Sequence, residues 1–192
     1  MMKVLICEGD FMKVFINPGH APNGVPDPGA VNQYTGLKEA VVVKHVGDLV
    51  AKYLIAAGVD ATVCQDDSLA TVVNTSNSMN VDVFVSIHCN SAANPSAEGT
   101  ETFYFYSSEQ GRKLANCIQS QLIDAMDTVD RGIKGARPGT NGLYVLTNTD
   151  AVAVLVELAF ISNQDDMILL TENQNDFARA IARGITDFQL LM

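Results

Sequence analysis

The chain has 192 residues, of which 47% are hydrophobic and 18% are charged. This length and composition are typical of one folded domain with a sizeable core, and they exclude a disordered chain. The 12 basic and 22 acidic residues give a net charge of −10, which disfavours binding to nucleic acids or to anionic membrane surfaces. No apolar run approaches the roughly 18 residues that a membrane-spanning helix needs, so we expect no membrane insertion.

The N-terminal segment contains a repeated pattern. The sequence MKVLI at 2–6 is nearly repeated as MKVFI at 12–16, so translation could also start at Met12. We therefore distinguish an N-terminal extension at 1–11 from a domain at 12–192. The opening apolar stretch is shorter than the roughly 7 residues that the hydrophobic region of a signal peptide requires, so no signal peptide is visible.

Apolar strand patterns alternate with helical patterns along the chain. This alternation predicts an α/β sheet with helices on its faces. The segment 20–36 is rich in Pro, Gly and Asn and is long for a loop in a compact domain, and long loops are often functional. In chain order, the patterns predict strands at 14–16, 59–63, 81–87, 100–106, 142–146 and 151–158, and helices at 38–57, 68–79, 108–126, 163–170 and 173–190.

Two glutamates interrupt otherwise apolar patterns. Glu157 lies in the apolar run 151–160, where an unpaired carboxylate would cost several kcal/mol or stay protonated. It has a cation or proton partner there, or it is a carboxylate at a strand end that is bonded to backbone amides. Glu39 begins the apolar stripe of the first helix, at the end nearest the long loop. Its structural interpretation is a first-turn acid that complements the helix dipole.

Two histidines follow predicted strands. A lone histidine such as His20 or His88 is more often a hydrogen-bonded structural residue than a ligand. Because sites gather beyond the carboxyl ends of strands in open α/β sheets, we expect both histidines to lie near Glu39 and Glu157. Two imidazoles and one carboxylate suit a catalytic zinc that keeps a position open for water, and a second carboxylate suits a general base. The spacing does not distinguish the glutamate ligand from the base.

Five short motifs occur in order along the chain: 17–20 (NPGH), 27–30 (DPGA), 36–39 (GLKE), 86–90 (SIHCN) and 154–163 (VLVELAFISN). Together they resemble the N-acetylmuramoyl-L-alanine amidases of the Amidase_3 type, from about residue 12 to residue 188. The resemblance implies a single catalytic domain at 12–192, built on a twisted mixed β-sheet of about six strands that is flanked by helices.

The resemblance also implies roles for individual residues. His20, Glu39 and His88 would hold Zn²⁺, and Glu157 would be the catalytic carboxylate. Members of this family hydrolyse the amide bond between the lactyl group of N-acetylmuramic acid and L-alanine of the peptidoglycan stem peptide. We therefore expect the same reaction from this chain, by zinc-activated water with a glutamate general base.

Substrate contacts are expected from three further residues. Arg131 and Lys134 lie in a segment that fits the part of the family's sequence before the last strand, and Asn90 closes the motif that contains the second histidine. Two positions depart from the family's pattern. Asn17 stands where an aspartate is common, and its amide oxygen could orient the histidine without the charge. Cys89 replaces a small residue, and we interpret its thiol as a bystander.

Two other functions are compatible with the sequence. A zinc carboxypeptidase-like hydrolase of wall peptides would use the same metal chemistry, with Arg131 or Arg137 for the terminal carboxylate. A non-catalytic peptidoglycan-binding module on the same fold is disfavoured, because all four chemical residues are retained.

The expected partner is peptidoglycan, and we expect a monomer. Peptidoglycan lies outside the cytoplasmic membrane, so we expect the chain to act at the cell wall, in an extracellular or periplasmic location. With no visible signal peptide, the sequence fits a phage or prophage lysin made in the cytoplasm, or an exported enzyme.

Overall fold

The strands of the protein form one mixed sheet. The computed structural model describes residues 11–140 and 143–192. Within these residues, the strands are β1 (Lys13–Pro18), β2 (Asp60–Val63), β3 (Val83–Asn90), β4 (Thr100–Phe105), β5 (Asp130–Ala136) and β6 (Val152–Phe160). Their order in this six-stranded sheet is β2-β1-β3-β6-β4-β5. Neighbours among β2, β1, β3 and β6 are parallel, whereas β4 runs antiparallel to β6 and parallel to β5.

Helices connect the strands and flank the sheet. In the described part of the chain the α-helices are α1 (Glu39–Ala56), α2 (Leu69–Ser78), α3 (Glu109–Ala125), α4 (Tyr144–Asn148), α5 (Gln164–Glu172) and α6 (Gln174–Gln189), and a short 3-10 helix spans Pro22–Gly24. The predicted α/β architecture, a mixed sheet of about six strands flanked by helices, is confirmed. Across residues 11–140 and 143–192, no helix combines the length and hydrophobicity of a membrane span.

Side-chain alternation along the strands separates two cores, one on each face of the sheet. On one face, Val85, Val154 and Val156 pack with apolar residues of α1, α3 and α6 in the larger core. On the other face, Phe84 and Leu155 pack with residues of α2 and α4. We call this second group the smaller core, and its buried members are Phe15, Val72, Val73, Phe84, Ala136, Val145, Leu146, Ala153 and Leu155.

Ionisable residues continue the smaller-core face toward the carboxyl ends of β3 and β6. His88 lies four residues after Phe84, and Glu157 lies two residues after Leu155, so both point to this face. The register places His88 opposite Glu157, and Glu157 opposite Glu101 of β4. Three ionisable side chains from adjacent strands therefore share one face of the sheet, just beyond its apolar core.

The strand predicted at 142–146 is wrong. Residue 142 lies outside the described residues, and the segment that follows forms α4. Tyr144 and Val145 favour strands by local propensity, but a turn of helix places Val145 and Leu146 in the smaller core. Packing against the sheet therefore outweighs the local preference.

The sixth strand is β5, which no strand pattern predicted. Its sequence, DRGIKGA, contains two glycines and two basic residues and shows no hydrophobic alternation. Such a composition is typical of an edge strand, and β5 lies at the edge of the sheet. The expected number of strands is therefore met by a different segment. The N-terminal extension expected at 1–11 lies outside the described residues apart from Phe11.

Candidate active site

The long loop after β1 returns to the start of α1 and brings His20 to Glu39. His20 lies two residues after β1 in the left-handed region, with a φ of 67°. Glu39 is the first residue of α1. The backbone N–H of Glu39 donates to Ala30 O at 2.9 Å, and that of Ala40 donates to Pro28 O at 3.1 Å. These bonds hold the loop against the helix, so the first candidate histidine faces the first helical residue.

The Glu39 carboxylate is the point at which the candidate ligands meet. Its Oε1 lies 3.0 Å from His20 Nε2 and 2.9 Å from His88 Nδ1. The same oxygen accepts a hydrogen bond from Cys89 N at 2.9 Å, and Oε2 accepts one from Ala30 N at 2.8 Å. One ligand atom from each of the two histidines and the glutamate lies within 4.8 Å of the others, so the cluster could hold a metal ion.

Burial and hydrogen bonding have opposite effects on the charges of this cluster. Burial lowers the pKa of His20, but hydrogen bonds to Glu39 and Asp27 outweigh it and raise the pKa to about 9. Burial raises the pKa of Glu39, but hydrogen bonds from His20 and His88 outweigh it and hold the pKa well below its usual range. A divalent cation could replace the protons in these contacts, because imidazole nitrogen and carboxylate oxygen are donor atoms that Zn²⁺ accepts.

Asp27, rather than Asn17, is the residue whose side chain contacts and orients the ring of His20. Asp27 Oδ2 lies 2.7 Å from His20 Nδ1, and Oδ1 accepts a hydrogen bond from Gly29 N at 3.0 Å. A carboxylate behind a candidate ligand fixes the orientation and tautomer of the imidazole. Asn17 instead accepts a hydrogen bond from Ser86 Oγ at 2.9 Å. Asp27 was part of a recognised motif, but its spacing gave no sign that the histidine is its partner.

Two glycines let these side chains pack closely. A Cβ atom at Gly19 would lie 2.2 Å from His88 Cε1. A Cβ atom at Gly29, where φ is 66°, would lie 2.5 Å from His20 Cδ2 and 2.6 Å from Glu39 Oε2. A side chain at either position would therefore displace a candidate ligand.

Glu157 lies within β6, three residues before the strand ends at Phe160. Among the residues that the structure describes, its buried Oε2 has no hydrogen-bond partner. Burial raises the pKa of Glu157 to about 7; the interaction with His88 opposes this shift, and the carboxylates of Glu39 and Glu101 add to it. The interpretation as a strand-end carboxylate bonded to backbone amides is therefore wrong. An orphaned carboxylate oxygen beside a candidate metal cluster is suited to take a proton from water.

The three residues expected to contact substrate lie around a fourth, Glu101. Arg131 Nε donates to Glu101 Oε2 at 2.7 Å, and Lys134 Nζ donates to the same oxygen. Asn90 Nδ2 donates to Glu101 Oε1 at 2.9 Å. Glu101 was not predicted as a functional residue, because only the pairing of β4 with β6 places it opposite Glu157.

The thiol of Cys89 belongs to the larger core rather than to the candidate metal cluster. The residue is 4% exposed and packs with the apolar side chains of that core. Burial raises the pKa of the Cys89 thiol well above its usual range, which disfavours the thiolate form that binds metals. Its backbone amide, not its sulfur, contacts Glu39.

Comparison with known proteins identifies relatives along nearly the whole chain. Residues 14–187 match the family model described as N-acetylmuramoyl-L-alanine amidase, Amidase_3. The uncharacterized protein YqiI of Bacillus subtilis is 37% identical over 183 residues, which cover 91% of this chain and 84% of YqiI. The N-acetylmuramoyl-L-alanine amidase LytC of the same organism is 33% identical over 183 residues, which cover 91% of this chain and 35% of LytC.

A solved structure shows the same fold. The N-acetylmuramoyl-L-alanine amidase AmiC2 of Nostoc punctiforme matches with a TM-score of 0.83 and 33% sequence identity, covering 93% of this chain and 97% of that one. The chain therefore belongs to the Amidase_3 family of N-acetylmuramoyl-L-alanine amidases, as its five motifs predicted. An amidase activity on peptidoglycan is supported by this membership.

Asp27→Ala is expected to weaken Zn²⁺ binding by about 10- to 100-fold, because His20 loses the carboxylate that orients its ring. Competition with a chromophoric chelator measures the affinity. Asp48→Ala is the matched control, since it removes an exposed carboxylate from α1 and should leave the affinity unchanged. Equal affinities in the two variants would contradict the orienting role of Asp27.

Glu157→Gln is expected to stabilise the metal-free protein more at pH 8 than at pH 5. The folded-state pKa of about 7 lies above the usual value of 4.5, so the unfolded chain loses this proton first as pH rises. The free energy of unfolding of the wild type therefore decreases by at most about 3 kcal/mol as the pH rises from the lower of these pKa values to the higher. The glutamine variant lacks this decrease. Urea denaturation in the presence of a chelator measures the difference. An equal stabilisation by Glu157→Gln at pH 5 and at pH 8 would contradict the raised pKa of Glu157.

Proposed function

We propose that residues 12–192 form a zinc-dependent hydrolase that cleaves the amide bond between N-acetylmuramic acid and L-alanine of the peptidoglycan stem peptide. The observation that carries this proposal is the meeting of His20 and His88 on the Glu39 carboxylate, beside a Glu157 oxygen that has no hydrogen-bond partner in the part of the chain that the structure describes. Family membership supports the substrate, and the donor set supports the metal.

His20, Glu39 and His88 would hold the zinc ion. When bound, Zn²⁺ lowers the pKa of a coordinated water toward about 7 and stabilises negative charge on the carbonyl oxygen of the substrate. Asp27 fixes the ring of His20, and the backbone N–H groups of Ala30 and Cys89 fix the carboxylate of Glu39. The two histidines and the glutamate are thus held in place by second contacts from the loop and from β3.

Glu157 would act as the general base and then as the general acid. Its Oε2 accepts a proton from the attacking water and returns it to the nitrogen of the leaving L-alanine. Burial raises the pKa of Glu157 in the metal-free protein, and a carboxyl group with a raised pKa can return the proton it has accepted. Within residues 11–140 and 143–192, no hydrogen bond competes for this oxygen.

Substrate contacts would come from the other side of Glu157. Arg131 and Lys134 carry half-exposed positive charges at the edge of the sheet, and Asn90 follows His88 on β3. Peptidoglycan as the substrate implies that the protein acts at the cell wall, outside the cytoplasmic membrane.

Glu157→Gln is expected to keep one Zn²⁺ per chain and to lose hydrolysis of purified peptidoglycan by at least about 100-fold, because the amide cannot take the proton from water. Mass spectrometry of the digest should show free stem peptides that begin with L-alanine in the wild type only. Cleavage at another peptide bond would favour a carboxypeptidase, and activity retained by the variant would contradict the role of Glu157.

His20→Ala and His88→Ala are expected to lose bound zinc together with activity, as each removes one of three candidate ligands. His45→Ala is the matched control, because His45 is exposed on α1 and lies outside the cluster. Elemental analysis of the purified proteins measures zinc per chain. Full zinc occupancy in either His20→Ala or His88→Ala would contradict the proposed ligand set.

A further inference from the structure

Glu101 is a buried carboxylate that no part of the proposed mechanism uses. Its side chain is 5% exposed, and the strand register places it directly opposite Glu157. A carboxylate buried in this way is stable only when cations or hydrogen-bond donors surround it. Burial raises the pKa of Glu101, but hydrogen bonds from Lys134 and Arg131 outweigh it, so the pKa lies below its usual range.

The partners of Glu101 are more exposed than Glu101 itself. Arg131 exposes 34% of its side chain and Lys134 exposes 38%. Glu101 balances one of these two positive charges and leaves the other on groups that solvent reaches. In a chain with a net charge of −10, these two groups place accessible positive charge beside the candidate active site.

Further contacts restrict where the two cationic groups can lie. The guanidinium carbon of Arg131 lies 4.8 Å from the centroid of the Phe160 ring, and Nη1 donates to Glu98 O at 3.2 Å. Lys134 Nζ lies 5.8 Å from the centroid of the Phe103 ring. The described residues supply acceptors for two of the five N–H donors of the Arg131 guanidinium group, and a further oxygen ligand could bind the others.

We propose that Glu101 is a positioning residue, which holds Arg131 and Lys134 as a receptor for a free carboxylate of the stem peptide. This inference rests on the proposed function. Guanidinium and ammonium groups pair with carboxylates through charge-assisted hydrogen bonds, and two fixed cations bind such a group without further ordering. The receptor therefore favours substrates whose peptide carries an ionised carboxyl group over the same substrates with a carboxamide.

The sheet geometry places this receptor relative to the reaction. Glu157 lies on β6 and the cationic pair lies on β5, with β4 between them. The cationic groups reach back across β4, because both donate to Glu101, the residue opposite Glu157, and the guanidinium of Arg131 lies against the Phe160 ring of β6. The recognised carboxylate therefore belongs to one of the first residues of the stem peptide, and the peptide runs from Glu157 toward β5.

The test compares soluble N-acetylmuramoyl peptides with free carboxyl groups and the same peptides with those groups converted to carboxamides. For the zinc-loaded wild type, kcat/KM should be at least about 10-fold higher for the carboxylate form, mainly through a lower KM. In Arg131→Gln and Lys134→Gln, this ratio should fall toward one. Glu109→Gln is the matched control, because it removes an exposed carboxylate that pairs with Arg112 far from the receptor, and the ratio should persist.

Glu101→Gln separates positioning from a simple effect of charge. The variant gains positive charge, so a purely electrostatic role for Glu101 predicts a lower KM for the carboxylate substrate. Positioning predicts a higher KM for that substrate, because the two cations lose the group that orders them. Thermal unfolding and zinc content show whether each variant folds. If Glu101→Gln fails to fold, the Arg131→Gln and Lys134→Gln variants still test the receptor.

The outcomes distinguish this inference from the proposed function. If the wild type releases L-alanyl peptides from both substrates with equal kcat/KM, the receptor is wrong and the amidase function stands. If the ratio is unchanged in Arg131→Gln and Lys134→Gln, or if KM falls in Glu101→Gln, the positioning role is overturned. If no L-alanyl peptide is released from either substrate or from whole peptidoglycan, both proposals are overturned.

Discussion

The structure around the candidate site depends on the burial of one carboxylate, that of Glu39. An ionised group with 4% of its side chain exposed is costly unless its oxygens are bonded to donors. The donors come from two segments that are distant in sequence: the loop after β1, at His20 and Ala30, and the end of β3, at His88 and Cys89. Satisfying this one charge therefore draws the loop, the helix start and the strand end together.

The same constraint explains why the site lies where the smaller core ends. Phe84 and Leu155 carry the apolar face of β3 and β6 as far as α2 and α4 can cover it. Beyond Phe84 this face of β3 continues with the buried Ser86 and then His88, and beyond Leu155 the same face of β6 continues with Glu157. The side chains there are neither fully solvated nor packed in hydrocarbon, and this environment gives Glu157 a pKa of about 7.

Local pattern predicted much of this arrangement. His20, His88 and Glu157 each follow an apolar run, and the rule that sites lie beyond the carboxyl ends of strands was sufficient to expect them together. The roles assigned to them remain predictions. Asp27 and Glu101 were missed for a different reason: their partners are set by the path of a long loop and by the pairing of β4 with β6, neither of which leaves a periodic signal. The edge strand β5 was missed because its glycines and basic residues lack the alternation of a half-covered strand.

The two parts of the candidate site come from different segments of the chain. The candidate metal cluster comes from residues before the end of β3, whereas the proposed carboxylate receptor comes from β4 and β5, which α3 joins into one continuous unit. Glu157 lies on the strand between these two parts and is opposite a residue of each. Exchange of the segment from β4 to β5 between relatives would thus alter which peptides are accepted while leaving the hydrolytic chemistry in place. Such a division would separate the residues that select the peptide from the residues that hold the proposed metal ion.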